Sequence, residues 1–545
     1  MHVAATAGHV DHGKSTLVRA LTGTDPDRLA EEHRRGLSIE LGHAHLDLPS
    51  GARLALVDVP GHQRFLATML AGVGAVPATL LVVAADEGWS AQTAEHVAAI
   101  DALGVSHAVL IVTKADRADP GPVAADSVRR LAGTSLDGCP WVGVSASTGQ
   151  GLPELRAALD VLVRTLPPPP DPGRVRLFVD RVFTVRGAGT VVTGTLPAGT
   201  VRVGDALELD GREVRVRALQ CCHEQVTEAH GVARVALNLR GVGHDQIGRG
   251  AALLSPDAWH LTTSADVRLT AAGELPRELV LHVGGAAVPV AVRRLEAHAR
   301  LTWRTPLPLA PGDRGVLRDP GRHTIAAGVV VVDADPPSLA GRGRAATRAA
   351  ALPGWGARQV LARAGALPAA ALRRRGWSVP PAAVTVGDWV VDPDQWARWS
   401  RDLTDGVPAL PDPALLAPLT RAAGWPAPTG RALAAQRTPP ALAEVWAAGP
   451  FEAPTGEMLA AASLDAPSLA RLAAAGLALR LPGDVVLSPG ADDRALAVLA
   501  ALAQPFSLGE AKTALGVSRR VAVPLLEHLD RQRRTRRDGD SRWVR

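Results

Sequence analysis

Gly8-His9-Val10-Asp11-His12-Gly13-Lys14-Ser15-Thr16 decides how the first third of the chain reads. It has the form G-x-x-x-x-G-K-S. Its two glycines allow a tight backbone path that turns successive N–H groups toward phosphate oxygens. Lys14 then reaches the β and γ phosphates, and the Ser15 hydroxyl meets Mg2+. Of the 59 basic residues only three are lysine, Lys14, Lys114 and Lys512. Lys114 belongs to a second motif, Thr113-Lys114-Ala115-Asp116, at the end of the apolar run Ala108–Val112. An aspartate so placed accepts two hydrogens from guanine and rejects adenine, which would leave its charge unpaired.

Two further elements lie between and beyond these motifs. Asp58-Val59-Pro60-Gly61-His62 follows Leu54-Ala55-Leu56-Val57. Its Asp58 can hold Mg2+ through water, and Gly61 lets a backbone N–H turn toward a γ-phosphate. Ser145-Ala146-Ser147 follows the next strand, where backbone N–H groups can meet the guanine carbonyl. Short apolar strands alternating with helical patterns imply an α/β, doubly wound, mostly parallel sheet that binds its ligand at the strands' carboxyl ends. GTP and Mg2+ are the expected cofactors, and GTP hydrolysis the expected activity.

Working outward, residues 1–170 form this P-loop GTPase domain and end in Pro167–Pro170, a stiff connector. The periodicity then drops to two. Asp210-Gly211 between Ala-Leu-Glu-Leu and Glu-Val-Arg-Val is a hairpin signal. Residues 171–258 and 259–345 are therefore expected to be two antiparallel β-barrels. Residues 346–545 are rich in Ala, Leu, Arg and Trp and read as an array of small helical units with short ribbons. Seven of the 12 tryptophans lie between Trp355 and Trp446, where core anchoring is the expected role.

The composition is that of a soluble globular chain, and 545 residues suffice for roughly three to four domains. No apolar run is long enough to span a bilayer, no C-x-x-C pair occurs among Cys139, Cys221 and Cys222, and no signal peptide is expected ahead of the phosphate loop. A reduced, cytoplasmic, monomeric protein with neither a zinc site nor disulfides is expected. The net charge of +5 equals the excess of nine Arg over four acids in residues 518–545. Such a patch favours a polyanion.

Within that last unit, about 495–545, Ser507 and Glu510 form a capping box, Gly516 makes a turn, and Ser518 caps a second helix with Val521, Leu525, Leu526 and Leu529 on one face. A two-stranded ribbon then turns at Asp538-Gly539. Helix, turn, helix and ribbon make a winged helix. Arg519 and Arg520 at the start of the second helix, with Arg533, Arg534, Arg536 and Arg537, are the expected RNA contacts. Pro524 inside that helix predicts a kink or a later start.

The phosphate loop together with Asp58-Val59-Pro60-Gly61-His62 resembles the translational GTPases of the EF-Tu type. The resemblance implies that His62 orients the attacking water, with Val10 and Leu37 as an apolar gate. It also implies that Arg35–Ile39 is a switch segment whose Ser38, where the family usually has Thr, brings a hydroxyl to Mg2+. Asp180–Thr195, Thr113 in place of the usual Asn, and the extension at 346–545 narrow the resemblance to the bacterial selenocysteine-specific elongation factors. The partners this implies are selenocysteinyl-tRNA, an mRNA hairpin (SECIS) bound by the last winged helix, and the ribosome. Asp180, Arg181 and Arg234 match the family's aminoacyl pocket. A selenol is more acidic than a thiol, so a buried cation can tell anionic selenocysteine from neutral serine where size cannot. The alternatives are a general tRNA-binding factor of the elongation or initiation type, a metabolic regulatory GTPase subunit, and a GTP-switched transcriptional regulator.

Overall fold

The computed structural model describes residues 1–26, 38–62, 65–74, 76–168, 173–185, 187, 189–270, 274–322, 324–405, 410, 415, 439–462, 464–474 and 477–544. Arg35, Gly36, Leu37, Pro169, Pro170, Trp425 and Arg545 lie outside these residues. The chain divides into two compact units, residues 1–357 with 370–378, and residues 358–369 with 379–545.

The first unit starts with a six-stranded sheet. Its strands are β1 (His2–Ala7), β2 (Gly42–Asp47), β3 (Arg53–Asp58), β4 (Ala78–Ala84), β5 (His107–Thr113) and β6 (Trp141–Gly143), in the order β2-β3-β1-β4-β5-β6. Only β2 runs antiparallel to its neighbour. Every residue of β4 is buried because helices cover both faces, which is why it reads as an unbroken apolar run. One face packs Ala5, Val57 and Leu81 with Met69 and Ile100, and the other packs Ala4, Leu56 and Leu80 with Leu17 and Leu155. The helices are α1 (Lys14–Thr22), α2 (Leu66–Val73), α3 (Ala91–Leu103), α4 (Pro120–Leu131) and α5 (Leu152–Thr165). Ser90 caps α3 by accepting from the Thr93 N–H, and Asp119 caps α4 by accepting from the Gly121 N–H.

Eight strands between Arg176 and Leu254 form an antiparallel sheet around Leu177, Val192, Val216 and Leu237. After Arg176–Phe178 the chain returns to strand Gly189–Leu196, with the Asp180 N–H donating to the Thr193 carbonyl at 3.0 Å. Asp210-Gly211 makes the hairpin turn its sequence announces. Leu209 pairs with Arg212, and φ is 48° at Asp210 and 76° at Gly211. Residues Leu261–Asp333 close into a six-stranded barrel. Helix α3 lies against this barrel, so closely that a Cβ on Gly328 would sit 2.8 Å from the Ala102 Cα.

A helix that follows the barrel is tied to it. Arg348, in helix Arg344–Ala351, is buried between Asp266 (2.7 Å) and Asp333 (2.6 Å), and Arg300 completes the cluster on Asp266 (2.5 Å). The Arg348 guanidinium also stacks 3.7 Å from the Trp355 ring. Burying these charges is costly unless they pair, so the cluster ties the helix to the barrel.

In the second unit, a three-stranded sheet of Ala366–Pro368, Trp389–Val391 and Val384–Val386 packs on the buried Trp399. Trp389 and Trp396 pack beside it and Trp446 packs in a neighbouring cluster, so these tryptophans are core residues. The last winged helix comprises helices Leu508–Leu515 and Arg519–Arg531 and strands Phe506–Ser507, Thr535–Asp538 and Ser541–Val544 around buried Phe506, Leu525, Leu526 and Leu529. Its capping box forms, with Glu510 bonded to the Ser507 N–H at 2.7 Å. The second helix runs from Arg519 through Pro524 without ending there. The cost of the proline is met by the apolar face that the helix buries. Among the described residues no helix is long and apolar enough to cross a membrane.

Candidate nucleotide site and adjoining cleft

The phosphate loop joins β1 to α1, at the carboxyl end of the sheet. A Cβ at Gly8 would lie 2.1 Å from the Val82 carbonyl oxygen, and Gly13 takes φ 78° as it opens the helix. Lys14 is buried, and its Nζ donates to the carbonyls of His9 (2.7 Å) and Gly8 (3.2 Å). Gly61 closes on the loop, where a Cβ would be 2.5 Å from both Lys14 Nζ and the Val10 nitrogen. His62 is half-buried, 6.2 Å from Phe65 between ring centroids. Thr16 and Asp11 are exposed.

Three oxygens expected at a cation meet here. The Ser15 Oγ is 2.6 Å from Asp58 Oδ2 and 3.0 Å from the Ser38 Oγ. Asp58 is fully buried, and its other oxygen accepts from Thr6 at 2.6 Å. A set of two hydroxyls and one carboxylate, with no nitrogen or sulfur, suits a hard cation such as Mg2+.

Helix α3 supplies residues that sequence motifs did not single out. The Gly8 N–H donates to His96 Nδ1 at 3.0 Å, and Gln92 bonds the His9 ring and the Val10 N–H (3.4 Å). Their four-residue spacing on one helix face was the available signal. The His12 ring turns inward against the Val82 carbonyl (3.3 Å), so what His12 offers the loop is its backbone. Burial pushes the His12 pKa down to about 4 and that of His96 down to about 3, so both are neutral imidazoles at pH 7.

At the Thr113–Asp116 motif, Thr113 Oγ1 donates to the His12 carbonyl at 2.7 Å, which ties this strand end to the phosphate loop. Lys114 adopts φ 57°, and its Nζ lies between Asp86 (3.2 Å) and Glu87 (2.5 Å). Asp116 is exposed. A hydrogen bond from Ser145, with a further one from Ser147, holds its carboxyl below the usual carboxylate range. The Ser145 and Ser147 hydroxyls are 2.9 Å apart, with Ala146 between them.

A cleft of about 170 Å³ lies between β2–β3 and the first barrel, lined by Arg181, Arg234, Cys222, His223, His43 and His45 among others. Arg234 is 10% exposed and grips the 5%-exposed Asp180 with both terminal nitrogens, one at 2.7 Å. It also reaches Thr193 (3.2 Å) and His43 Nε2 (2.9 Å). Arg181 pairs with Glu40 at 2.5 Å and donates to the Leu41 carbonyl at 3.2 Å. Neither Glu40 nor His43 was anticipated, because both come from a different domain than the arginines.

In the last winged helix Arg519, Arg520, Arg533, Arg536 and Arg537 are exposed. Arg520 also donates to the Pro454 carbonyl at 2.7 Å. Arg534 is drawn to Asp493 (2.7 Å) and Asp492 (3.5 Å). Arg542 is buried on Asp530. The charge excess is thus less available than its count suggests.

Three family models match the chain. They are the elongation factor Tu GTP-binding domain over residues 1–168, elongation factor Tu domain 2 over 189–254, and the elongation factor SelB winged helix over 497–544. The selenocysteine-specific elongation factor of Escherichia coli K12 is 42% identical over 348 residues, which cover 62% of this chain and 56% of that protein. Elongation factor Tu 2 of Streptomyces avermitilis is 37% identical over 278 residues, which cover 46% of this chain and 71% of that protein. A crystal structure of a bacterial selenocysteine-specific elongation factor, EF-Sec, superposes with a TM-score of 0.70 at 24% identity over the whole of both chains, a likeness of fold. The chain spans about half the length of the curated selenocysteine-specific relatives it matches.

Proposed function

The chain belongs to the elongation factor Tu family, and on that premise we propose that it is a cytoplasmic, monomeric GTPase that delivers selenocysteinyl-tRNA to the ribosome. Its last winged helix holds an mRNA hairpin (SECIS). The observation that carries the nucleotide half is the meeting of Ser15, Ser38 and Asp58 beside Lys14. These three would hold Mg2+, which neutralises charge on the β and γ phosphate oxygens when bound. The loop Gly8–Thr16 wraps the phosphates, with Gly13–Thr16 and Gly61 offering them backbone N–H groups, while Thr113, Lys114 and Asp116 with Ser145–Ser147 frame the base. His62 orients the attacking water. Hydrolysis is slow until the ribosome stimulates it.

Selection of the amino acid rests on the cleft. The charge of Arg234 is already matched by Asp180 in a nearly buried pair, so Arg234 shapes the wall. Arg181 is held by Glu40, which is 47% exposed and can yield its place. An anionic selenolate can replace that carboxylate, whereas a serine hydroxyl cannot restore the lost charge pairing. Similarity to the selenocysteine-specific factor of E. coli supports the same reading. The test is filter binding, with GTP present, of one tRNA body charged with selenocysteine or with serine. Equal affinities would refute the selenocysteine reading. In parallel, His62→Ala should leave GTP binding intact and abolish ribosome-stimulated hydrolysis.

A further inference from the structure

Strand Arg212–Cys221 ends in a tight two-residue turn on both sides, and the two turns are built differently. At its start the chain uses Asp210-Gly211, a pair suited to positive φ at both positions. At its end, Cys221 pairs with Glu224, and the turn between them is Cys222-His223 with φ of 51° and 67°. Cys222 has neither the glycine hydrogen nor the short polar side chain that makes this conformation inexpensive. Backbone strain of this kind persists where side chains are needed in place. Both side chains line the cleft that contains Arg181 and Arg234, and the His223 ring lies 5.8 Å from that of His45.

The turn places two thiols next to each other. Cys222 faces the cleft. Behind it, the Cys221 Sγ lies 3.2 Å from the Arg234 carbonyl. The Cys221 sulfur also lies 3.4 Å from the Met1 sulfur.

We propose that Cys221 and Cys222 form a dithiol that returns an oxidised selenium in the cleft to the selenol. The inference rests on the cleft being the aminoacyl site. Selenols are oxidised readily by peroxides to selenenic acids, and a carrier that shelters one gains from repairing it. In the first step the Cys222 sulfur attacks the selenium of Se–OH. The Se–O bond breaks, a Se–S bond forms, and the thiol proton leaves with the hydroxide as water. In the second step the Cys221 thiolate attacks the Cys222 sulfur. The Se–S bond breaks, the selenium departs as selenolate, and a disulfide joins the two cysteines. Selenium gains the two electrons that the sulfurs lose. Adjacent Cα atoms are about 3.8 Å apart, closer than ordinary disulfides allow. A strained bridge of this kind is readily reopened by a small cellular thiol such as glutathione.

The test uses the full-length protein in two arms. In the absence of tRNA, phenylarsine oxide, which bridges neighbouring thiols, should bind the wild type and fail to bind Cys221→Ser or Cys222→Ser. No binding to the wild type would overturn the inference. In the second arm, the complex with GTP and selenocysteinyl-tRNA receives one equivalent of hydrogen peroxide, and the products are alkylated and weighed by mass spectrometry. The wild type should recover the selenol while its Cys221–Cys222 peptide becomes two hydrogens lighter. Cys221→Ser should stop at a selenium–sulfur adduct on Cys222, and Cys222→Ser should leave the selenium oxidised. Cys222→Asn, which suits the turn, should melt at a higher temperature and lose selenol recovery. Equal recovery in all proteins would refute the dithiol. If the wild type forms no complex with selenocysteinyl-tRNA, the functional reading fails instead, and the arsenical arm still reports on the thiol pair.

Discussion

Replacing Asp180 by Asn tests the architecture of the cleft most directly. The substitution preserves volume and removes one charge from a pair in which Arg234 is 10% and Asp180 5% exposed. Deleting one partner of a buried ion pair costs about 3–5 kcal/mol, because the other charge is left uncompensated. Here Thr193 and His43 remain on Arg234, and the amide oxygen of Asn can still accept a bond, so the low end applies, about 3 kcal/mol. For a cooperative unit of this size, about 2 °C per kcal/mol translates this into a fall of about 6 °C in melting temperature. Differential scanning calorimetry of the full chain measures it. The double variant Asp180→Leu with Arg234→Met should recover most of the loss, since apolar residues of similar size can replace a buried pair nearly neutrally. A drop under about 1 kcal/mol in the single variant, or additive losses in the double, would refute the view that Arg234 is neutralised from within and leaves charge selection to Arg181.

Three further expectations concern the same unit. Burial pushes the pKa of His12, His96 and His282 down to about 4, 3 and 4. The unfolded chain binds these protons near pH 6.5 and the folded chain does not, so urea midpoints should fall as pH drops from about 6.5 to 4, and His96→Gln should flatten the slope. Gly61→Ala forces a Cβ within 2.5 Å of the Val10 nitrogen and Lys14 Nζ, and should weaken GTP binding by about tenfold or more in a fluorescent-nucleotide titration. Glu40→Gln releases Arg181. It should raise affinity for selenocysteinyl-tRNA up to about fivefold without changing that for seryl-tRNA, and the gain should shrink at high salt.

The elements that sequence made legible are those whose chemistry is local. Lys14, Asp58 and Thr113 each stand in a run of a few residues at the end of an apolar strand, and strand placement alone brings them to one rim. The capping box at Ser507 and the turn at Asp210-Gly211 are equally local. What stayed hidden depends on tertiary pairing. Asp180, Arg181 and Arg234 could be marked as cleft residues, with Asp180 orienting an arginine, but not that Glu40 holds Arg181 and His43 reaches Arg234, since those contacts need the barrel and β2 to be packed together. His12 looked like one more loop residue facing the phosphates, and only its buried contact with the Val82 carbonyl shows that its ring turns away. The charge count at the C-terminus likewise could not separate exposed Arg536 and Arg537 from Arg534 and Arg542, which acidic residues hold.

Helix α3 touches two things at once. Its first turns carry Gln92 and His96 onto the phosphate loop, and its last turn carries Ala102 against Gly328 of the closed barrel. Thirteen residues of α-helix make a stiff rod about 20 Å long. A push on the loop would therefore reach the far barrel along one pushrod, the same helix being in contact with both.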